Sequence, residues 1–352
     1  MKLETLLPLG KLDPGLREPG TPFDISCLAE DARLVESLGY DAVMFEETKH
    51  DPYVLMALAA QATTRLGIGS AVAIAFPRSP AVTAMAAWTL QKLSRGRFVL
   101  GLGTQVKAHV ERRYGIKWSA PGPWMREYVQ AVHAIWHAWQ NGEQPAFHGE
   151  HYEISLNVPL FDPGPIEHPK IPVHLAAVNA YMCRVAGEVA DGLRPHPVCT
   201  ATYIREVMLP AARTGAARAG RTLDDFAISI KPLIATAPDE DSLEIRIRDV
   251  RARIAFYAST PAYRAAFALH GLGELADELK HLSRAQRWEE MPPFISDEVL
   301  HRYACVGTYD VIAGKIADCY GGLATNVEFS IPVATDEDEE MLRGILQDLK
   351  RV

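Results

Sequence analysis

Short apolar runs alternate with longer stretches of helical spacing along nearly the whole chain. Lys2 to Leu7 predicts a strand, and Phe23 to Leu38 then sets Leu28, Ala32 and Val35 a helical turn apart before Gly39 stops it. The unit repeats. Tyr40 to Phe45 predicts a second strand, after which Asp51 and Pro52 open a helix as cap and first-turn proline, with Leu55, Leu58 and Ala62 as its stripe. Leu66 to Phe76 is the third run, followed by a helix over Pro80 to Leu93 whose predicted buried face is Val82, Met85, Ala86, Leu90 and Leu93. Arg97 to Gly101 is the fourth. Downstream come a helix from Tyr128 to Trp139, a strand from Pro172 to Ala176, a helix from Asn179 to Val189 and a short strand from Gly192 to Pro195. Phe226 to Ala235 predicts the seventh strand, Asp239 to Tyr257 a long helix, and Asn326 to Ile331 the eighth strand. Behind Thr335 as cap, the acidic run Asp336 to Glu340 reads as the first turn of a last helix, where negative charge complements the helix dipole. Met341, Leu342, Ile345, Leu346 and Leu349 form its expected stripe.

Runs that are apolar throughout must be covered on both faces, which predicts a parallel sheet wrapped by helices. Eight such strands are the count of a closed (β/α)8 TIM barrel, expected here as one domain over residues 1–352. Two segments exceed the repeating unit: residues 142–170, with a hairpin-like stretch from Phe147 to Leu156, and residues 258–304, helical with a break at Pro292-Pro293. An open doubly wound sheet fits less well, because no G-x-G-x-x-G follows the first strand, and Gly101-Leu102-Gly103 has Val106 where a third glycine belongs.

With 48% hydrophobic and 23% charged residues among 352, the chain can bury a large core. A net charge of -8 argues against nucleic acid as a partner. No apolar run approaches the roughly 20 residues of a bilayer span, and the amino terminus has no leader pattern, so no membrane association is expected. Five scattered cysteines without a CxxC pair predict neither disulfides nor a zinc site and fit a reducing cytoplasm. His133 and His137 stand four apart on one helix, but no third ligand accompanies them, so no metal is expected.

On a barrel, reactive groups lie just beyond the carboxyl ends of the strands. The candidates there are Glu46 to Asp51 after strand two, Ser70 to Pro80 after strand three, Gly103 to His109 after strand four, Ala176 to Asn179 after strand five and Arg194 to Pro197 after strand six. Gly39-Tyr40-Asp41, Arg78-Ser79-Pro80 and above all the stretch Leu93 to Gly103, reading LSRGRFVLGLG, resemble the luciferase-like monooxygenase superfamily. Arg126-Glu127-Tyr128, Ile171-Pro172-Val173 and Ala190-Asp191-Gly192 are similar to its later blocks.

The resemblance is greatest to the branch that uses coenzyme F420, a deazaflavin. It implies hydride transfer between that cofactor and a small organic substrate, with a homodimer as in relatives, and apolar faces near Trp88 and Phe98 as its contact. It implies that Glu47 faces the cofactor, with Thr48 standing where the branch has histidine, and that a non-prolyl cis peptide at Ser70-Ala71 backs the ring. Val106 stands where some relatives have a glutamate, and Val178-Asn179 where the family holds the cofactor phosphate with glycines. Gly103, Thr104, Lys107, Ala176 and Ala177 complete the expected cofactor contacts. Lys107, Arg112, Arg113 and Arg184 are the cations expected near its anionic tail. Proton transfer requires a donor within hydrogen-bond reach; Glu47 is the first candidate, followed by His50, His109 and His196, unless Glu47 only pairs with an arginine. Two alternatives stand beside this reading: an FMN-dependent monooxygenase of the same superfamily, and an F420-binding protein without turnover.

Overall fold

The structure, a computed structural model, describes residues 1–11 and 23–351. Eight parallel strands close on themselves: β1 (Lys2–Leu6), β2 (Ala42–Phe45), β3 (Gly67–Ser70), β4 (Phe98–Gly103), β5 (Val173–Ala177), β6 (Gly192–Pro195), β7 (Ala227–Ile230) and β8 (Asn326–Glu328). Each pairs with its sequence neighbours, and Lys2 opposite Asn326 closes the ring between β1 and β8. The fold is a (β/α)8 TIM barrel, and closure leaves no free edge. Helices that surround or follow the strands include α1 (Leu28–Leu38), α2 (Pro52–Ala62), α3 (Pro80–Leu93), α4 (Pro121–Asn141), α5 (Ala180–Val189), α6 (Leu209–Arg218), α7 (Glu240–Ala258), α8 (Ile312–Tyr320) and α9 (Asp336–Arg351).

The local signals act as their chemistry requires. Asp51 accepts from the backbone N–H groups of Tyr53 and Val54 at the start of α2, Asn179 from Met182 at the start of α5, and Asp239 from Ser242 at the start of α7. Gly39, with φ of 94°, ends α1 in the left-handed region. Thr335 accepts from Asp338 N–H ahead of α9.

Four expectations need correction. The third strand stops at Ser70 and resumes only as Ala73–Ile74, which pairs with Leu102 and Gly103 of β4; the cis peptide lies at Ala71-Val72, one residue beyond the expected Ser70-Ala71. The seventh run divides: β7 stays in the barrel, while Leu233–Ala235 leaves it to pair with Ala304–Val306. The stripe read for α3 has the right period and the wrong phase. Val82 and Met85 are 50% and 57% exposed, whereas Thr83, Ala84, Ala87, Trp88, Leu90 and Gln91 are buried. Thr83 can face inward because its hydroxyl bonds Tyr128 at 2.5 Å, and Gln91 because its amide donates to the carbonyls of His168 and Lys170. Leu58 of α2 and Met341 of α9 are likewise exposed. Finally, Trp88 and Phe98 lie in the core, the Trp88 indole donating to Gly164 O, so neither offers a surface to a second copy.

The 142–170 excursion contains an antiparallel hairpin, Phe147–His148 with Glu153–Ile154, and the 258–304 excursion is largely helical. No helix among the described residues is long and apolar enough to cross a membrane.

Candidate functional site

A cavity of about 600 Å³ opens at the carboxyl ends of the strands. Its walls gather Glu46, Glu47 and Thr48 from beyond β2, Ala71, Val72 and Ile74 from the interrupted third strand, and Gly103 to Lys107 from β4 and beyond. Ala176 to Asn179, Arg194 to Pro197, Ser229, Lys231 and Glu328 complete its far side, with Trp118 and Tyr263 from loops. Gly103 leaves no room for a side chain where it faces Val72: a Cβ there would stand 2.6 Å from Val72 Cγ2, so one of the two would have to move.

Of the residues picked from sequence, Glu47, Ala71, Gly103, Thr104, Lys107, Ala176, Ala177, Val178 and Asn179 meet in this cavity, as do Thr48, Val106 and His196. Ser70 does not. It is fully buried, and its hydroxyl both donates to Gly101 O at 2.7 Å and accepts from Gly101 N–H at 2.9 Å. His50 lies outside the cavity wall, its ring 6.1 Å from that of Phe23, and His109 sits exposed on the short helix Lys107–Arg112. His196 is stacked on Tyr263 at 4.1 Å. Among the expected cations only Lys107 lines the cavity. Arg113 sits at its rim, donating to Thr48 O at 3.0 Å, while Arg112 ends the same short helix and Arg184 on α5 lies over Tyr181.

Glu47 is tied to its neighbours through both carboxylate oxygens. Its carboxylate accepts from Arg78 at 2.7 and 2.9 Å and from Ile74 N–H at 2.7 Å, and Arg78 also donates to Asp51 at 2.8 Å. Burial opposes the charge on Arg78, but its bonds to Glu47 and Asp51 outweigh burial and hold the guanidinium above its usual range. The arrangement ties the loop after β2 to the loop after β3, as the arginine-pairing alternative for Glu47 describes.

Beneath the walls lies a polar floor that the sequence reading missed in large part. Arg194 donates to Glu4 at 2.6 Å, and Asn326 reaches the other oxygen of Glu4 at 2.6 Å. Lys231 stands between Glu46 at 2.8 Å and Glu328 at 3.2 Å, and Lys11 reaches Glu46 at 2.7 Å. Burial works against the charge on Glu46, yet Lys231 and Lys11 together hold its carboxyl down to about 2. Burial pushes Glu328 up, with only partial relief from Lys231 and with Glu46 pushing the same way. The overlooked signal was alternation: Glu4, Ser229 and Lys231, and Asn326 and Glu328 occupy every second place in their strands and so point to the barrel axis.

Comparison with known proteins places the chain in a family. The profile of the family described as luciferase-like monooxygenase matches residues 5–326. The chain belongs to that family. It is therefore an enzyme. It is 40% identical over 330 residues to an uncharacterized protein of Mycobacterium tuberculosis, covering 94% of this chain and 96% of that one. It is 29% identical over 325 residues to a putative coenzyme F420-dependent oxidoreductase of the same species, covering 86% and 88% of the two chains. Among solved structures, the coenzyme F420-dependent tetrahydromethanopterin reductase of Methanopyrus kandleri superposes with a TM-score of 0.73 at 19% identity, covering 100% of this chain and 98% of that one. This luciferase-like chain thus carries its family's barrel, with a cavity at the strand ends whose floor is ionic and whose walls include the apolar side chains of Ala71, Val72, Ala176 and Ala177.

Proposed function

We propose that this enzyme is a coenzyme F420-dependent oxidoreductase, transferring a hydride between the deazaflavin and a small organic substrate. The observation that carries the reading is the cavity itself. An apolar stretch of wall formed by Ala71, Val72, Gly103, Ala176 and Ala177 suits a planar ring, and the capped start of α5 at Asn179, in the same lining, suits an anionic tail. Lys107 at the same rim adds the positive charge that a chain of net charge -8 must concentrate locally to hold an anion.

When bound, the deazaflavin supplies the hydride-carrying carbon. The chain's residues do the rest. Val72 and Gly103 set how closely a ring can approach β4, and the Glu47–Arg78–Asp51 ties hold the loops that shape the wall. Trp118 and Tyr263 help cover the mouth, which limits water at the reacting face. The reading extends to a homodimer formed through exposed apolar side chains on α2 and α3. It also extends to a cytoplasmic setting, supported by five cysteines that are all free thiols.

Titration with purified F420 tests the proposal: saturable quenching of deazaflavin fluorescence is expected, weakened when Gly103→Val crowds that wall. A protein that leaves the fluorescence unchanged but binds FMN and consumes oxygen with reduced flavin would overturn it.

A further inference from the structure

Three carboxylates line the cavity, and their partners make them chemically different. Glu46 is gripped by two lysines, and Glu47 by Arg78 and a backbone N–H. A carboxylate so occupied has little lone-pair capacity left for a substrate. Glu328 differs. It projects from the end of β8 with Lys231 at 3.2 Å as its one ionic partner among the described residues, and its side chain keeps 11% exposure in the cavity it lines.

We propose that Glu328 is the group that exchanges a proton with the substrate in this cavity, making the substrate a compound with a polarised double bond, such as a carbonyl or a conjugated alkene, or its reduced counterpart. The hydride half of the reaction rests on the deazaflavin reading; the proton half rests on the floor of the barrel. Hydride adds to the electrophilic carbon, the π pair moves to the far atom, and that pair takes the proton as the O–H bond of the Glu328 carboxyl breaks. The carboxylate left behind faces the Lys231 ammonium. In the opposite direction the same carboxylate accepts the proton while hydride leaves to the oxidised deazaflavin.

The surroundings of Glu328 support a proton resting there. Lys231 beyond β7 and Arg194 on β6 face it as cations and Glu46 beyond β2 as an anion, while Glu4, opposite it in register on β1, is paired with Arg194. Lys11 is spent on Glu46, and the neutral Tyr40 hydroxyl donates to Phe329 O. Each cation near Glu328 is already matched by another carboxylate, Arg194 by Glu4 and Lys231 by Glu46, so burial dominates and raises the carboxyl. One lysine between two glutamates thereby divides them into a fixed anion and a proton carrier, the separation that acid and base assignments require.

Infrared difference spectroscopy across a pH titration tests the proton site without a substrate. A protonated-carboxyl band is expected near neutral pH in the wild type, lost in Glu328→Gln and kept in Glu47→Gln. In Lys231→Gln it should persist to higher pH, which carries the test if Glu328→Gln fails to fold. A wild type without the band, or a band that survives Glu328→Gln, overturns the proposal. For any ketone, aldehyde or enone of a panel that oxidises the reduced deazaflavin, Glu328→Gln should slow turnover about 100-fold or more and flatten its pH profile, with F420 quenching unchanged; an unaltered rate overturns the proposal. Absence of quenching in the wild type with the infrared result as expected would instead remove the deazaflavin reading and leave the proton site standing.

Discussion

His174 on β5 is buried in the barrel wall, and its Nδ1 has no hydrogen-bond partner. Burial first, then the charges of Arg194 and Lys2, hold its imidazole down to about 3. An unfolded histidine titrates near ~6.5. As pH falls the unfolded chain therefore takes the proton first, so stability from the neutral ring is complete above that value and is lost between about 6.5 and about 3. The urea midpoint is expected to drop from about pH 7 to about pH 5, and His174→Leu should show a shallower drop. An equal slope in the two proteins would refute the assignment. Glu46 adds a separate, lower limb. With its carboxyl held down to about 2, its contribution is present above the usual carboxylate range and disappears only as pH falls toward that value. Comparing Glu46→Gln with the wild type below about pH 4.5 isolates it.

At the level of elements, one side chain extends the backbone ladder between β3 and β4. Ser70 bridges both backbone groups of Gly101, and a Cβ on Gly101 would stand 1.9 Å from Ser70 O, so the serine and the glycine require each other. Ser70→Ala removes both bonds and strands the Gly101 N–H and C=O inside the wall. It is expected to cost about 1–3 kcal/mol, read as a lower urea midpoint at unchanged slope, and to weaken F420 quenching only through the displaced bulge next to it. A midpoint equal to the wild type's would show that the clamp contributes nothing. This residue also shows where the sequence was and was not legible. Strand and helix periods are set by backbone geometry, so apolar recurrence exposed all eight strands and the start of α2 at Asp51-Pro52. The phase of α3 was not legible, because Thr83 and Gln91 face inward only by virtue of Tyr128, His168 and Lys170, distant in the chain. Nor was the floor, since β8 is three residues long and alternation between Asn326 and Glu328 offers too few places to stand out from a mostly apolar run. Strand ends located the cavity correctly as a place, but loops then decided which side chains enter it, carrying His50 to Phe23 and His109 to solvent.

For the whole molecule, the misphased face of α3 has a consequence for assembly. Val82 and Met85 on α3, with Val54 and Leu58 on the adjacent α2, leave four large apolar side chains between 43% and 59% exposed on one side of the barrel. Scattered exposed apolar residues are ordinary, whereas these four lie on two helices packed against each other. A two-fold pairing would bury the same side chains on both copies. Each copy carries a charge of -8, so association works against mutual repulsion and should strengthen as salt screens it. Light scattering is expected to give about twice 38.8 kDa, with the dimer favoured at higher salt. Val82→Asp combined with Met85→Lys should yield a species of 38.8 kDa that still quenches F420, because neither residue lines the cavity. A wild type that remains monomeric over the whole salt range, or a double variant that still dimerises, would place the contact elsewhere or remove it.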